Sequence, residues 1–402
     1  MAFDSIPPPG ISDDPEGALH PSRGFLPAQD PLGSLPSEFA AWEEVAADLP
    51  KLLVNQRVRD FVAKMPQLDA SRLRTEAEQR RAMLLLSFIA HAYVWQGPDA
   101  SRRLPANLAM PWHAVATKLG RPPVLSYASY ALDNWRRLEA DGPIALGNLA
   151  LLQNFLAGAD EEWFIIVHVD IEARAAAALN AIMPAQQAVA AGDLDALAQQ
   201  LSMVADALEA MHGTLARTPE YCDPRTYYLR VRPFIHGWKN HPALPLGLVY
   251  EGVAAYGEEP QKLRGETGAQ SSIVPCIDAL LGVAHHPDPL RDYLMEMRDY
   301  MPPAHRAFLE AVEAGPSVRG VALGSGAAGL RAAYDRCVEA THRFRALHLE
   351  FAASYIHSQG QSGENNPTDV GTGGTPFMRY LKKHRDETRA HRIEGEQEPP
   401  SP

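Results

Sequence analysis

The residue best placed to do chemistry in this chain is a histidine on an otherwise apolar, aromatic helix face. A long helix is expected to begin just after Gly324-Ser325-Gly326 and to run to Ile356. At about 100° per residue, Tyr334, Thr341, Phe344, His348, Phe351, Ala352 and Tyr355 fall on one side. His342 lies about 120° away from His348, beside Arg345 and Ala346, so the two imidazoles have different surroundings. An inward His348 has two readings. It is either a core histidine whose ring nitrogens are satisfied by neighbours, or an axial ligand to a haem iron. A neutral imidazole walled by Phe and small residues suits a flat apolar porphyrin.

Other chemically able residues sit far away in sequence. A second helix is expected over 160–183, stopped by Pro184. On it Phe164, His168 and Ile171 share a face, whereas Asp170 and Glu172 read as lying on other sides. A histidine inside the run Phe164-Ile165-Ile166-Val167-His168-Val169 is costly unless it has a partner. In Thr226-Tyr227-Tyr228-Leu229-Arg230-Val231-Arg232-Pro233 the proline kinks or restarts a helix. Tyr227 and Arg232 are candidates for gripping a flat carboxylated ligand, the guanidinium for the carboxylate and the ring for stacking. A packed Tyr and a surface Arg are the alternative. Tyr127, Tyr130 and Asn134 follow Pro122-Pro123 and share one side of a helix, for which aromatic core packing is the competing explanation.

Two loops complete the inventory. The run from Gly265 to Ser272 is rich in small residues, which allow backbone to approach a ligand closely, and it leads into a helix carrying Asp278. Gly371-Thr372-Gly373-Gly374-Thr375 lacks the Lys-Ser/Thr of a phosphate-binding loop and reads instead as a mobile lid.

The elements that must position these residues are helical. The 402 residues are 46% hydrophobic and 21% charged, long enough for a large core and two domains. No strand-like alternation persists, so the fold is all-α. Helical patterns are also expected over 39–65, interrupted by Pro50, over 71–96 and over 190–216, while Pro105 and Pro111 mark connections. A formal net charge of −12 argues against nucleic acid and against an anionic membrane as partners. Cys222, Cys276 and Cys337 are odd in number and without CxxC spacing, which points to a reducing compartment, the cytoplasm. The most apolar long stretch, over 163–183, is interrupted by His168, Asp170, Glu172 and Arg174 and is too polar to span a bilayer.

Taken together and in order, these segments resemble the indoleamine 2,3-dioxygenases, haem enzymes that open the indole ring of L-tryptophan. The resemblance covers about 35–383. It is carried by Ala92-Tyr93-Val94-Trp95, Pro122-Pro123-Val124-Leu125-Ser126-Tyr127, Gly237-Trp238-Lys239, Gly247-Leu248-Val249-Tyr250-Glu251-Gly252, Gln270-Ser271-Ser272, Tyr300-Met301-Pro302-Pro303-Ala304-His305-Arg306, His348-Leu349 and the GTGGT run. It implies a small N-terminal domain, 1–155, with an irregular arm over 1–36. This domain caps the distal pocket of a large helical haem domain, 156–402, whose lid loop spans 359–375. It implies haem b held by His348, with Arg345 pairing a haem propionate and Asp278 as an acidic partner nearby.

The family's distal pocket falls on Tyr127, Phe164, Tyr227, Arg232, Thr267, Gly268 and Thr372. Arg232 would hold the substrate carboxylate, Tyr227 and Phe164 would pack the indole, and Thr372 would meet the amino acid's polar end. Ferrous iron, O2 as co-substrate, an external electron donor, a monomeric chain and N-formylkynurenine as product in tryptophan catabolism are the remaining implications. Three residues depart from the family's best-known animal members. His168 stands where those carry a serine, and it could fix the ring by accepting a hydrogen bond from the indole N–H. Tyr130 replaces a small pocket residue and Tyr227 replaces a Phe. These changes leave open the same chemistry on another indole. A haem-binding sensor with little turnover is the reading from outside the enzymes.

Overall fold

The computed structural model describes residues 19–285, 289–359, 371–374 and 377–393. Their order is helical almost throughout: α1 (Ala40–Ala47), α2 (Leu49–Val54), α3 (Val58–Val62), α4 (Glu76–Trp95), α5 (Ala106–Lys118), α6 (Ala159–Ala191), α7 (Leu194–Leu215), α8 (Pro224–Thr226), α9 (Ile273–Leu281), α10 (Pro289–Met297), α11 (Pro303–Ala314), α12 (Val318–Gly324), α13 (Ala328–Tyr355) and α14 (Phe377–Arg389). Strand pairing among the described residues amounts to parallel Arg103–Leu104 with Val249–Tyr250, antiparallel Arg136–Arg137 with Leu149–Ala150, and isolated bridges at His20–Gly24 and Leu248–Gln261. The all-α expectation holds. No helix of the described residues is long and apolar enough to cross a membrane.

Local chemistry sets the helix ends. Thr75 accepts from the Glu78 N–H at 3.2 Å while the Glu78 carboxylate accepts from the Thr75 N–H at 3.1 Å, so α4 starts there and not at residue 71. Pro50 sits in the first turn of α2, where a missing N–H costs nothing. Pro111, expected to mark a connection, lies inside α5. Pro184 does not stop α6, which continues to Ala191. One N–H bond is lost there, but Ala181, Ile182, Ala185 and Ala188 are buried around it, and their packing holds the helix together. The break comes at Gly192, whose left-handed backbone (φ 69°) closes α6 before Asp193 caps α7 by accepting from the Ala196 N–H at 2.9 Å.

Two main cores result. The first gathers α1–α5 and residues 235–253 around Trp42, Trp112 and Trp238. Part of its polar content is paired: Trp238 Nε1 donates to the Tyr250 hydroxyl at 2.9 Å, which donates to the Pro123 carbonyl at 2.6 Å. The second core joins α6, α7, α9, α11, α12 and α13. There α6 packs along α7 and α7 along α13, with the Ala-rich side of α6 permitting the close approach.

Candidate functional site

The C-terminal half of α13 leaves the second core. Tyr334, Cys337, Val338 and Thr341 are buried, but Phe344, Leu347 and Phe351 are only partly covered and His348 has open surface. Dense protein nonetheless surrounds this ring. Desolvation first, then the fields of His168 and Arg345, push its pKa down to about 4. His348 thus keeps open surface while standing close enough to protein, His168 included, to be desolvated. His348 makes no hydrogen bond, ion pair or ring contact among the described residues.

Facing it is α6. The His168 Nδ1–H donates to the Phe164 carbonyl at 2.7 Å, and burial lowers the ring's pKa. A carbonyl can only accept, so the neutral ring carries its lone pair on Nε2. His168 stands 4.7 Å from the Phe164 ring and 6.1 Å from Tyr127. Phe164 in turn meets Tyr227 at 4.6 Å and Tyr130 at 6.4 Å. Tyr227 reaches Tyr355 of α13 at 5.9 Å, which closes the ring of aromatics onto the helix of His348. Tyr127, Tyr130, Phe164, His168 and Tyr227 thus form one wall. Tyr127 and Tyr130 come from a single wide helical turn, Ala128–Leu132 and the residue before it, rather than a regular helix. The Tyr130 hydroxyl is buried without a hydrogen-bond partner.

Arg232 follows a similar turn, Tyr227–Val231, and begins a short 3-10 segment, so the expected kink at Pro233 is present. Its side chain is fully buried, with the guanidinium 5.6 Å from the Tyr228 ring. Burial lowers its pKa to about 10, against the opposing fields of Tyr227 and Tyr228. Gly268 is exposed, and a side chain there would meet nothing within 4 Å. Gly265 is different: a Cβ would lie 2.3 Å from the Ile235 carbonyl and 2.2 Å from the Gly237 nitrogen. Its missing side chain serves backbone-to-backbone packing, not ligand approach. The described part of the lid, 371–374, is tied down. The Thr372 hydroxyl donates to the Glu266 carbonyl, Arg264 Nη1 to the Gly373 carbonyl at 2.6 Å, and the Gly237 N–H to the Thr372 carbonyl at 3.3 Å. Thr267 packs at the same place, its hydroxyl bonded to Tyr293. Thr375 and the lid loop from 360 to 370 lie outside the described residues.

Buried carboxylic acids surround the aromatic wall, and the sequence reading missed them. Glu172 Oε1 accepts from the Tyr127 hydroxyl at 2.8 Å and from the Ser271 hydroxyl at 2.9 Å, and burial raises its pKa to about 7. Glu172 is four residues after His168 and so on nearly the same face, not another side. An acid one turn beyond an inward His was the available signal. Glu266 is also buried and raised to about 8, and its charge would act on Tyr127, Tyr130 and Tyr227. Gln270 fixes the loop by accepting from the Tyr127 N–H at 2.9 Å and donating to the Gly265 carbonyl at 2.9 Å.

On the other side of α13, Arg345 grips Asp278 of α9 with two bonds of 2.9 and 2.5 Å and also donates to the Thr388 hydroxyl. Arg345 opposes desolvation and holds Asp278 at about 2. Arg345 and Asp278 are thus brought together, one turn before His348. A neutral, uncommitted imidazole on a partly covered apolar face, a cation one turn away and a second imidazole opposite fit an axially ligated haem.

A sequence profile described as indoleamine 2,3-dioxygenase matches residues 17–391. Indoleamine 2,3-dioxygenase 2 of Mus musculus is 37% identical over 385 residues, covering 92% of this chain and 94% of its own. Indoleamine 2,3-dioxygenase 1 of Rattus norvegicus is 38% identical over 372 residues, 89% and 91% of the two chains. A 6-hydroxytryptophan 2,3-dioxygenase of Fusarium equiseti is 32% identical over 386 residues, 91% and 94% of the two chains.

Proposed function

The chain belongs to the indoleamine 2,3-dioxygenase family of haem-dependent oxidoreductases, and from that premise we propose that it converts L-tryptophan to N-formylkynurenine using ferrous haem b held by His348. The observation that carries this reading is the nearness of His348 and His168, each kept neutral by desolvation, with Phe164 and Tyr227 packed beside His168. Haem bound at His348 supplies the iron at which O2 is activated for insertion across the indole C2–C3 bond.

The chain's own residues orient and dehydrate the substrate. Phe164 and Tyr227 pack the indole faces. His168 accepts the indole N–H at Nε2, which needs no proton transfer and no charged ring. Arg232 takes the carboxylate, and its desolvation makes that pairing strong and selective. Thr267, Gly268 and Thr372 meet the amino acid's polar end where the lid segment is anchored, and Tyr127 and Tyr130 bound the pocket. Closing this wall excludes water from the reacting ring. Arg345 and Asp278 steady the opposite side. An external donor keeps the iron ferrous. We also propose a monomeric chain in the cytoplasm. A smaller domain ending near residue 155 caps the pocket, an arrangement that must accommodate the packing of residues 235–253 in the first core.

A second reading is the same reaction on a hydroxylated indole. The buried Tyr130 hydroxyl has no protein partner, and a substituent hydroxyl would give it one. One experiment addresses both. The reduced, haem-loaded protein is mixed with O2 and either L-tryptophan or 6-hydroxy-L-tryptophan, and formylkynurenine absorbance is followed. Turnover of tryptophan, lowered about a hundredfold in kcat/KM by Arg232→Ala with haem retained, is the expected result. A preference for the hydroxylated substrate that Tyr130→Phe abolishes favours the second reading. No turnover of either by fully haem-loaded protein defeats both.

A further inference from the structure

Beyond the proposed reaction, the far side of α13 holds a cluster that the haem chemistry does not use. His285 follows α9, while His384 and Glu387 lie one turn apart on α14. Each offers one ligand atom, and all three atoms fall within 4.8 Å of one another. His285 Nδ1 stands 2.6 Å from Glu387 Oε2, and its Nε2 stands 3.3 Å from Asp278 Oδ2. His384 stacks on His285 with ring centroids 4.0 Å apart. It is 8% exposed, and its Nε2 is buried without a hydrogen-bond partner.

We propose that His285, His384 and Glu387 form a zinc site that pins α14 to the end of α9 behind the helix of His348. Two imidazoles and one carboxylate are the donor set of a four-coordinate zinc ion completed by water. The outer partners fit as well. With the ion bound, Asp278 would accept from His285 Nε2–H and leave Nδ1 as the ligand atom. This is the carboxylate–histidine–metal relay. Arg345 holds Asp278 in turn, so the site is braced by the same cation that stands one turn before His348. Burial keeps His384 neutral and able to ligate. On binding, the proton between His285 Nδ1 and Glu387 Oε2 leaves to water, and the ion takes its place. The 2.6 Å separation then widens to about 3.3 Å, as two bonds of about 2 Å at a tetrahedral angle require. Rotation of the Glu387 side chain supplies that movement, and His384 turns out of its stack on His285 so that both ring planes meet at the ion.

The test is zinc content of the full-length, untagged, haem-loaded protein, dialysed against buffered Zn2+ and measured by atomic emission with iron read in the same sample. One zinc per chain is expected. Glu387→Gln and His384→Ala should each weaken apparent affinity at least about tenfold, and chelation should lower the wild-type melting temperature reversibly. The conservative Glu387→Gln guards against misfolding in His384→Ala. Wild-type protein that binds no zinc, or binds it as well as Glu387→Gln does, overturns the site. The iron reading keeps that failure separate from any failure of haem binding.

Discussion

The two sides of the space beside His348 are built on opposite electrostatic plans. On the α6 side, burial shifts the histidine, the tyrosines and the carboxylic acids toward their uncharged forms. His168 is lowered, Tyr127 and Tyr227 are raised, and Glu172 and Glu266 are pushed up to about 7 and about 8. Around Asp278 on the α13 side, burial is answered by pairing, and Arg345 pulls the carboxyl down to about 2. The same penalty, desolvation, thus yields neutral acids where no cation stands close and a fixed ion pair where one does. The neutral wall suits an apolar ring that must meet O2 without competing water. The paired wall suits the support of a helix that must hold one imidazole still.

Removing His348 tests the contrast most severely. His348→Ala should abolish the Soret signature of a His-ligated haem and reduce turnover to background, while far-ultraviolet dichroism stays helical. A normal spectrum would show that the axial ligand is elsewhere. Asp278→Asn comes next. It leaves Arg345 without its charge partner and should cost roughly 3–5 kcal/mol in denaturant unfolding. The sign of the pH effect follows from a depressed pKa. Asp278 contributes stability above about pH 4 and loses it as pH falls through about 2, so the variant should lack that part of the wild type's acid sensitivity. An unchanged acid limb would show that the pair is not what holds this side.

These tests bear on how much could be read from the chain alone. The all-α fold, the α13 face and the aromatic set around Phe164 were legible because helical period and residue type suffice for them. The extent of α6 was not, because a proline's local cost was outweighed by buried alanines that belong to the packing with α7. Gly265 was misread because close approach says nothing about what approaches. The cluster at His285 was invisible for a simpler reason. Its members lie about a hundred residues apart, and the His384–Glu387 pair one turn apart on α14 supplies only two of the three donors by itself.

The smaller effects probe the neutral wall. Glu266 has a folded pKa raised above its unfolded value, so the folded state binds the extra proton. Its contribution is complete below about pH 4.5 and is lost as pH rises through about 8. The Glu266 share of the wild type's melting temperature should therefore fall between pH 5 and pH 8, against the rising share of the buried histidines, whose pKa values are lowered. Glu266→Gln should flatten part of that slope and leave the shares of Glu172 and Glu161, each raised to about 7. An equal slope in the variant would place the Glu266 carboxyl in water.

Tyr127→Phe should do least, because it removes a single hydrogen bond and leaves the ring. Glu172 keeps the Ser271 hydroxyl at 2.9 Å but loses the Tyr127 hydroxyl at 2.8 Å. A charged Glu172 would then be costlier to bury and its pKa would rise further, so the acid would stay neutral and absorb most of the change. A loss of about 1 kcal/mol in stability, with turnover within a few-fold of wild type, is the expected result. A collapse of turnover with stability intact would instead give the Tyr127 hydroxyl a direct part in binding the substrate, and the neutral wall would then be more than a dry lining.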